Sequence, residues 1–409
     1  MNLLLILKFS WRYFRAKKST NAINIISWVS VVAIVFGTAA LITILSAFNG
    51  FESLVKSLYS SFYPELRIGP SMGKTIVLTQ DQLNKLKGIS GVSAITLVAE
   101  EKALLQNGPL QAVVNIKGVD EKFAAVSGLP NSMYRGEFKM GEAERPGLVM
   151  GVGVEQMLGL SSDRAIFPVS IYLPKRNSQS PDPSSALGVA MGYPQGSFAI
   201  QSEFDNKYVI TNIDFVKTYT AFGANEFSAV EIKTSGTTEL ETISMSIKSL
   251  LGKGYTVENR FEQNRMLYTT IRLEKLAIFG IFSLILVVAA FNMIGALSML
   301  VLEKQKDIQV LKAMGADQGL LQKIFLAEGV LLSSMGMIGG MGVALLLYYL
   351  QTRFKLVPLQ GATFLIDYYP VKLVFTDFVL VAVTVLGIGT TASWMPARRA
   401  AIAAIDLRV

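Results

Sequence analysis

The side chains that most often carry out enzymatic chemistry are missing from this chain, which has no cysteine and no histidine. That removes thiol nucleophiles, imidazole bases, Ser-His-Asp triads, disulfides and nearly all zinc sites. Two arrangements remain to be weighed. Glu100 and Glu101 are adjacent acids in a strand-like run, and successive side chains on a strand point to opposite faces, so a carboxylate dyad is not expected. Gly69, Pro70, Ser71, Met72, Gly73, Lys74 and Thr75 resemble a phosphate-binding loop, but the glycine spacing is one residue short of G-x-x-x-x-G-K-[ST]. The chain therefore reads as non-enzymatic, with no metal and no cofactor of its own, and any nucleotide energy must come from another chain.

The segment best suited to binding is Glu303 to Ala316. Ile308, Leu311 and Met314 recur every three residues beside a face carrying Glu303, Lys304, Lys306, Asp307 and Lys312, and Gly315 offers a C-terminal stop. A short helix of this kind can dock in another protein's groove. It can equally be an amphipathic loop lying at the lipid surface.

The elements that hold these residues follow from composition. Of 409 residues, 51% are hydrophobic and 17% charged, too apolar for a disordered chain and too sparsely charged for an ordinary soluble one. Four stretches lack ionisable residues for long enough to cross hydrocarbon about 30 Å thick: Ser19 to Phe51, Leu276 to Leu302, Gly329 to Thr352, and Phe378 to Ala397. Spans are placed at 21–48, 275–302, 329–352 and 378–397. The first is too long for the apolar core of a cleaved signal peptide. Lys8, Arg12, Arg15, Lys17 and Lys18 precede it without an acid, the 303–328 connector carries four basic residues, and Arg398, Arg399 and Arg408 occupy the 398–409 tail. These ends should lie in the cytoplasm. The 49–274 segment is the extracytoplasmic part; from Glu52 to Lys275 its 23 basic and 23 acidic residues cancel. The net charge of +8 is thus a topology signal, and nucleic-acid binding loses its motive. Residues 1–20, with Trp11 and Phe14 among basic residues, suit an interfacial elbow helix or a plain extension of the first span, and 353–377 is a short outer loop.

The outer segment reads as a mixture of strands and helices. Strands are expected at Thr75 to Leu78, Gln111 to Lys117, Tyr208 to Thr211, Ala229 to Thr234 and Tyr255 to Glu258. Helices are expected at Gln80 to Leu86 and at Thr238 to Leu251, the latter with Leu240, Ile243, Ile247, Leu250 and Leu251 on one face. Pro174, Lys175, Arg176, Pro181, Pro183 and Pro194 mark a projecting loop or hairpin tip, functional or merely solvated. Within the spans, Asn292 should face another helix, and Gly336 and Gly340 have small-xxx-small spacing, which serves assembly or packing within the chain.

With those residues in view, the chain resembles a permease subunit of the lipoprotein-releasing ABC transporter family, the LolC and LolE type, within the wider group of MacB-like and FtsX-like permeases. The likeness rests on Ile25, Ile26, Ser27 through Leu45 to Glu52 with its N-G-F-E exit, and on Leu273, Glu274, Lys275 through Phe291, Asn292. It continues in Glu303, Lys304 to Ala316, similar to E-K-x-x-[DE]-I-x-x-L-[KR]-A-[ML]-G-A, and in Trp394, Met395, Pro396, Ala397, Arg398, Arg399 and Ala400. The fold implied is a four-helix membrane α-helical permease of the mechanotransmission (type VII) ABC architecture, with a large α+β periplasmic domain made of a MacB-like core and a second subdomain.

The resemblance also implies partners and roles. Two ATPase subunits, binding ATP and Mg, would sit below a pair of permeases, homo- or heterodimeric, in the bacterial inner membrane. The Glu303–Gly315 connector becomes the coupling helix, and the Pro174–Pro194 stretch falls where a LolC-type chain engages a LolA-like periplasmic carrier, although its sequence differs and LolE-type chains lack that hook. The cargo implied is a triacylated lipoprotein, anchored by three chains of roughly 15 methylenes, on the order of 35 kcal/mol. Its apolar cavity is expected at Phe48, Phe51, Met266, Leu267 and Ile271, residues that could equally pack the helix exits against the outer domain. An FtsX-type regulator of an envelope hydrolase, or a MacB-like efflux permease, is the competing reading.

Overall fold

The computed structural model describes residues 21–175, 187–236, 238–359 and 368–402. In chain order the elements begin with helix α1 (Asn21–Phe62), strands β1 (Leu66–Pro70) and β2 (Ile76–Val77), helix α2 (Gln80–Lys87), and strands β3 (Val92–Asn107) and β4 (Leu110–Val119). Next come β5 (Met133–Gly136), β6 (Gly147–Gly151), β7 (Val169–Pro174), β8 (Leu187–Phe198) and β9 (Tyr208–Asn212). Helix α3 (Ile213–Thr220), β10 (Glu226–Phe227), β11 (Ala229–Thr234), α4 (Leu240–Leu251) and β12 (Tyr255–Asn259) complete the mixed region, with one-turn helices between. The chain then runs through α5 (Arg265–Glu303), α6 (Gln305–Ala313), α7 (Gln318–Phe354) and α8 (Phe375–Ile402).

Two compact units result. The membrane unit takes the chain up to Leu54, Thr269–Leu359, and the part from Tyr368 onward; the outer unit takes Val55–Tyr268. The dividing points therefore fall inside α1 and α5, both unbroken there, and not at the expected 49 and 274.

Among the described residues four helices, all in the membrane unit, are long and apolar enough to cross a bilayer. Each outruns its expected span, because the charge-free stretch reports contact with hydrocarbon while the helix itself continues for as long as its backbone bonds are met. The 42 residues of α1 measure about 63 Å at 1.5 Å per residue, twice the hydrocarbon thickness. The core of this unit is Val31, Leu41, Leu45, Met293, Leu297, Phe325 and Val385, which face one another across all four helices.

The outer unit is built on one ten-stranded mixed sheet in the order β12-β1-β11-β3-β4-β9-β6-β8-β5, with β7 bridging β3 and β8. The expected core and second subdomain share this sheet. The sixteen-residue β3 is the reason: its first half pairs with β11 and its last residues with β7. Each expected strand and helix is present within two or three residues. Capping explains the sharp start of α2, where Thr79 accepts from the Gln82 amide and Gln82 returns the bond. On α4, Ile243, Ile247 and Leu251 are buried, but Leu240, at its first residue, is 40% exposed.

Candidate functional site

Three helices of the membrane unit are joined by a polar cluster where their apolar runs end. The Asn49 side-chain amide donates to Asp377 Oδ2 at 2.6 Å, and Lys275 Nζ donates to Asn49 Oδ1 at 2.6 Å, with Asp377 Oδ1 3.6 Å from the same ammonium. Asn49 and Asp377 are buried. Helices α1, α5 and α8 thus meet at one hydrogen-bonded point. Beside it α1 lies so close to Pro370 that a side chain at Gly50 would strike the backbone, and the Lys372 amide donates to the Ser46 carbonyl.

Gly336 and Gly340 of α7 are used within the chain. A Cβ at Gly336 would lie 2.6 Å from Ile34 Cγ2, and one at Gly340 2.5 Å from Thr38 Cβ, so the backbones of α7 and α1 are in contact. Asn292 is exposed on this chain, and the adjacent Met293 takes the helix interface within it.

The connector forms α6, set off from α5 by a break at Lys304 and ended by Gly315 at φ 93°. The Ala316 amide returns to the Leu311 carbonyl, a Schellman-type stop. Lys304 pairs with Asp307 at 3.2 Å. The apolar stripe, however, does not all face outward. Ile308 is buried and Leu311 half-buried against the membrane unit's own core, while Val310 and Met314 are 59% and 77% exposed. The face open to a partner therefore carries Lys306, Val310, Met314 and Gly315, and Ile308 belongs to the chain's own packing.

The five residues expected to line a cargo cavity divide between the units. Phe48, Phe51 and Ile271 lie in the membrane unit, Ile271 buried and Phe51 stacked on Tyr369 at 6.4 Å; Met266 and Leu267 lie in the outer unit, Met266 being 85% exposed. None of them lines the apolar cavity of about 350 Å³ that the membrane unit does contain, between α1 and α7, with Ile42, Ser46, Ala47, Leu347, Gln351 and Val371 among its walls.

In the outer unit the end of α1 is anchored by aromatic packing. Phe62 stacks on Phe204 at 4.4 Å and meets Tyr208 at 4.6 Å, Tyr59 and Tyr63 pack edge-on to Phe204, and the Tyr59 hydroxyl donates to Glu203. Burial pushes the Tyr63 phenol up to about 12. Such pairs contribute about 0.5–1.5 kcal/mol each beyond area burial. Lys117, buried and 2.7 Å from Glu231, holds its ammonium 4.9 Å from the Phe62 ring. Asp205, behind Phe204, accepts from the Ile200 amide, and burial raises its carboxyl to about 6.

A polar cleft of about 580 Å³ contains Gly69, Gly73, Lys74, Glu100 and Glu101 together with Arg67 and Glu258. The phosphate-loop lookalike connects two strands, β1 and β2, and does not lead directly into a helix. Both glutamates line this cleft, where β3 is without a paired strand on one side between Val98, the end of its β11 pairing, and Leu104, the start of its β7 pairing. The Glu100 amide goes to the Ser228 hydroxyl there, and Lys74 lies 3.7 Å from Glu101, so the acids are balanced by bases.

The expected 174–194 loop is shorter than its prolines suggested. Pro174 ends β7 opposite Leu187, and Lys175 follows it exposed. Pro194 is buried inside β8, opposite Leu148 beside a register shift that tolerates its missing N–H. It is not a loop residue. Arg176, Pro181 and Pro183, like residues 1–20 of the expected elbow, lie outside the described residues. The outward positions of β8 carry Leu187, Val189 and Met191, an apolar stripe 40–59% exposed.

Two family models match the chain. The family model for the MacB-like periplasmic core domain matches residues 27–250, more than half of the chain, and that for the FtsX-like permease C-terminal region matches residues 279–405. The chain belongs to this permease family. The permease is 25% identical to the lipoprotein-releasing system transmembrane protein LolE of Haemophilus influenzae, with 96% of each chain covered. It is 26% identical to the lipoprotein-releasing system transmembrane protein LolC of Neisseria meningitidis, with 95% of each covered. It is also 23% identical to the pyoverdine export ATP-binding/permease protein PvdT of Pseudomonas fluorescens, over 82% of this chain but 52% of that one.

Proposed function

We propose that this permease is the transmembrane subunit of an ABC transporter that draws lipoproteins from the outer leaflet of the bacterial inner membrane. The observation that carries the reading is the end-to-end likeness to two lipoprotein-releasing transmembrane proteins, joined to a structure in which α1 and α5 each run unbroken from a span into the outer unit. A separate ATPase supplies the energy: the relatives matched end to end are named as transmembrane proteins, whereas the one named ATP-binding/permease extends well beyond the match. ATP-driven closure of that partner pushes α6 through Lys306, Val310 and Met314, and the tilt of α5 and α1 reaches the outer unit through the Phe62–Phe204 cluster. A second permease subunit completes the membrane part of the transporter. The Leu187–Val189–Met191 stripe of β8 offers the released acyl chains or a carrier protein an apolar landing.

The test is reconstitution with the ATPase in liposomes carrying a fluorescent triacylated lipoprotein. The pair Val310→Glu and Met314→Glu should cut both release and permease-stimulated ATP hydrolysis about tenfold, the equivalent of about 1.4 kcal/mol of docking energy. Unchanged release from that variant removes α6 from the mechanism. If the wild-type complex instead expels a macrolide or activates an envelope hydrolase and leaves the lipoprotein in place, the lipoprotein reading is replaced.

A further inference from the structure

We infer that the cavity between α1 and α7 is a binding site for a glycerophospholipid of the surrounding bilayer, one acyl chain inside and its phosphate on a cationic rim. The walls are apolar side chains of two spans, Ile42 and Ala47 from α1 and Leu347 from α7, with Val357 and Val371 from the segments that follow. A volume of 350 Å³ holds roughly a dozen methylene-sized groups at about 30 Å³ each, one chain and not three.

Two features suit an ester-linked chain better than a bare hydrocarbon. Thr43 and Ser46 line the cavity, and their hydroxyls are buried without a hydrogen-bond partner, although hydroxyls on a helix usually bond back to the preceding turn. Ser46 is only 4% exposed. An ester carbonyl entering here would accept from them. The second feature is charge. Arg353, Lys355 and Lys372 stand next to the wall residues Gln351, Leu356, Val371 and Leu373 in the chain, and all three are exposed. Among the described residues of 353–377 the one acid is Asp377, which is buried and bonded to Asn49. Outer loops are ordinarily poor in Lys and Arg. Three together beside an apolar cavity complement a phosphate diester. The orientation, though not the cavity, rests on the function proposed above.

The experiment uses the permease with its ATPase in nanodiscs containing phosphatidylglycerol with a diazirine on one acyl chain. Irradiation followed by peptide mass spectrometry should label Ile42–Ala47 and Leu347–Gln351 above the lipid-exposed face of α5 at Ile281–Val288. Filling the cavity with Ala47→Trp, or from the opposite wall with Leu347→Trp, should lower that labelling about tenfold while leaving the α5 signal as an internal control of folding. Replacing Arg353, Lys355 and Lys372 together by Gln should remove any preference for phosphatidylglycerol over phosphatidylcholine. Cavity labelling no stronger than on α5, or unaffected by either Trp, overturns the inference. So does labelling chased by a triacylated lipopeptide and not by phospholipid, which would make the cavity a cargo site. Labelling is read without lipoprotein release, so an inactive transporter that still labels refutes the proposed function and leaves the lipid site standing.

Discussion

Asn49, Lys275 and Asp377 were each visible in the sequence, as the polar residue of the N-G-F-E exit and as the charges that end two apolar stretches. Their meeting was not, because the separations of 226 and 328 residues carry no local signal. Removing one partner leaves the others partly buried and unmatched, so Asp377→Asn should destabilise the detergent-solubilised permease by about 1–3 kcal/mol. The double change Lys275→Met with Asp377→Leu should recover part of that loss in an unfolding titration; no recovery means the residues act separately. Asp205 gives a pH-dependent counterpart. Its folded carboxyl titrates near 6, above the ordinary 3.8, so the folded outer unit holds a proton that the unfolded chain releases. The stability this contributes is full below about pH 4 and is lost as pH rises through about 6, on the order of 2 kcal/mol. Thermal unfolding of the permease from pH 4 to 7 should therefore slope less steeply in Asp205→Asn than in the unchanged protein, and equal slopes would contradict the burial argument.

Among elements, legibility followed periodicity. The strands at Tyr208–Asn212 and Ala229–Thr234 announce themselves by β-branched runs, and the four long helices by the absence of charge. Strand β8 was hidden because its inward positions are Gly188, Ala190 and Gly192, whose small side chains leave no apolar alternation, while Val189 and Met191 face out. Helix α6 shows a related limit. A stripe at three-residue spacing tells which residues share a side, but whether that side meets a partner or the chain itself depends on packing the sequence does not display. The structure divides it, with Ile308 inward and Met314 outward. Accordingly Ile308→Glu should reduce the yield of folded permease in a membrane-extraction assay, whereas Met314→Glu should extract normally and lose ATPase stimulation and lipoprotein release.

For the whole molecule, charge arithmetic was the informative quantity: the neutral 52–275 segment against the positive remainder separated the outer unit from the spans and connector. What arithmetic did not reveal is that both dividing points fall within continuous helices, at Leu54–Val55 in α1 and Tyr268–Thr269 in α5. If those helices act as rods, inserting Gly-Gly-Ser after Leu54 should spare ATP hydrolysis while lowering lipoprotein release about tenfold, the equivalent of about 1.4 kcal/mol. Equal release would make the rigidity of α1 irrelevant. The contact of Gly336 with Ile34 carries a consequence of another kind. Every amino acid other than glycine has a Cβ, so any missense change in that codon forces α1 and α7 apart, and a bulkier side chain only widens the gap. Inherited variation at this spot should be repaired by Ile34→Gly, since the Ile34 Cβ itself would lie 2.7 Å from the new one, which makes the seam a place where genetics can measure the distance between two helices.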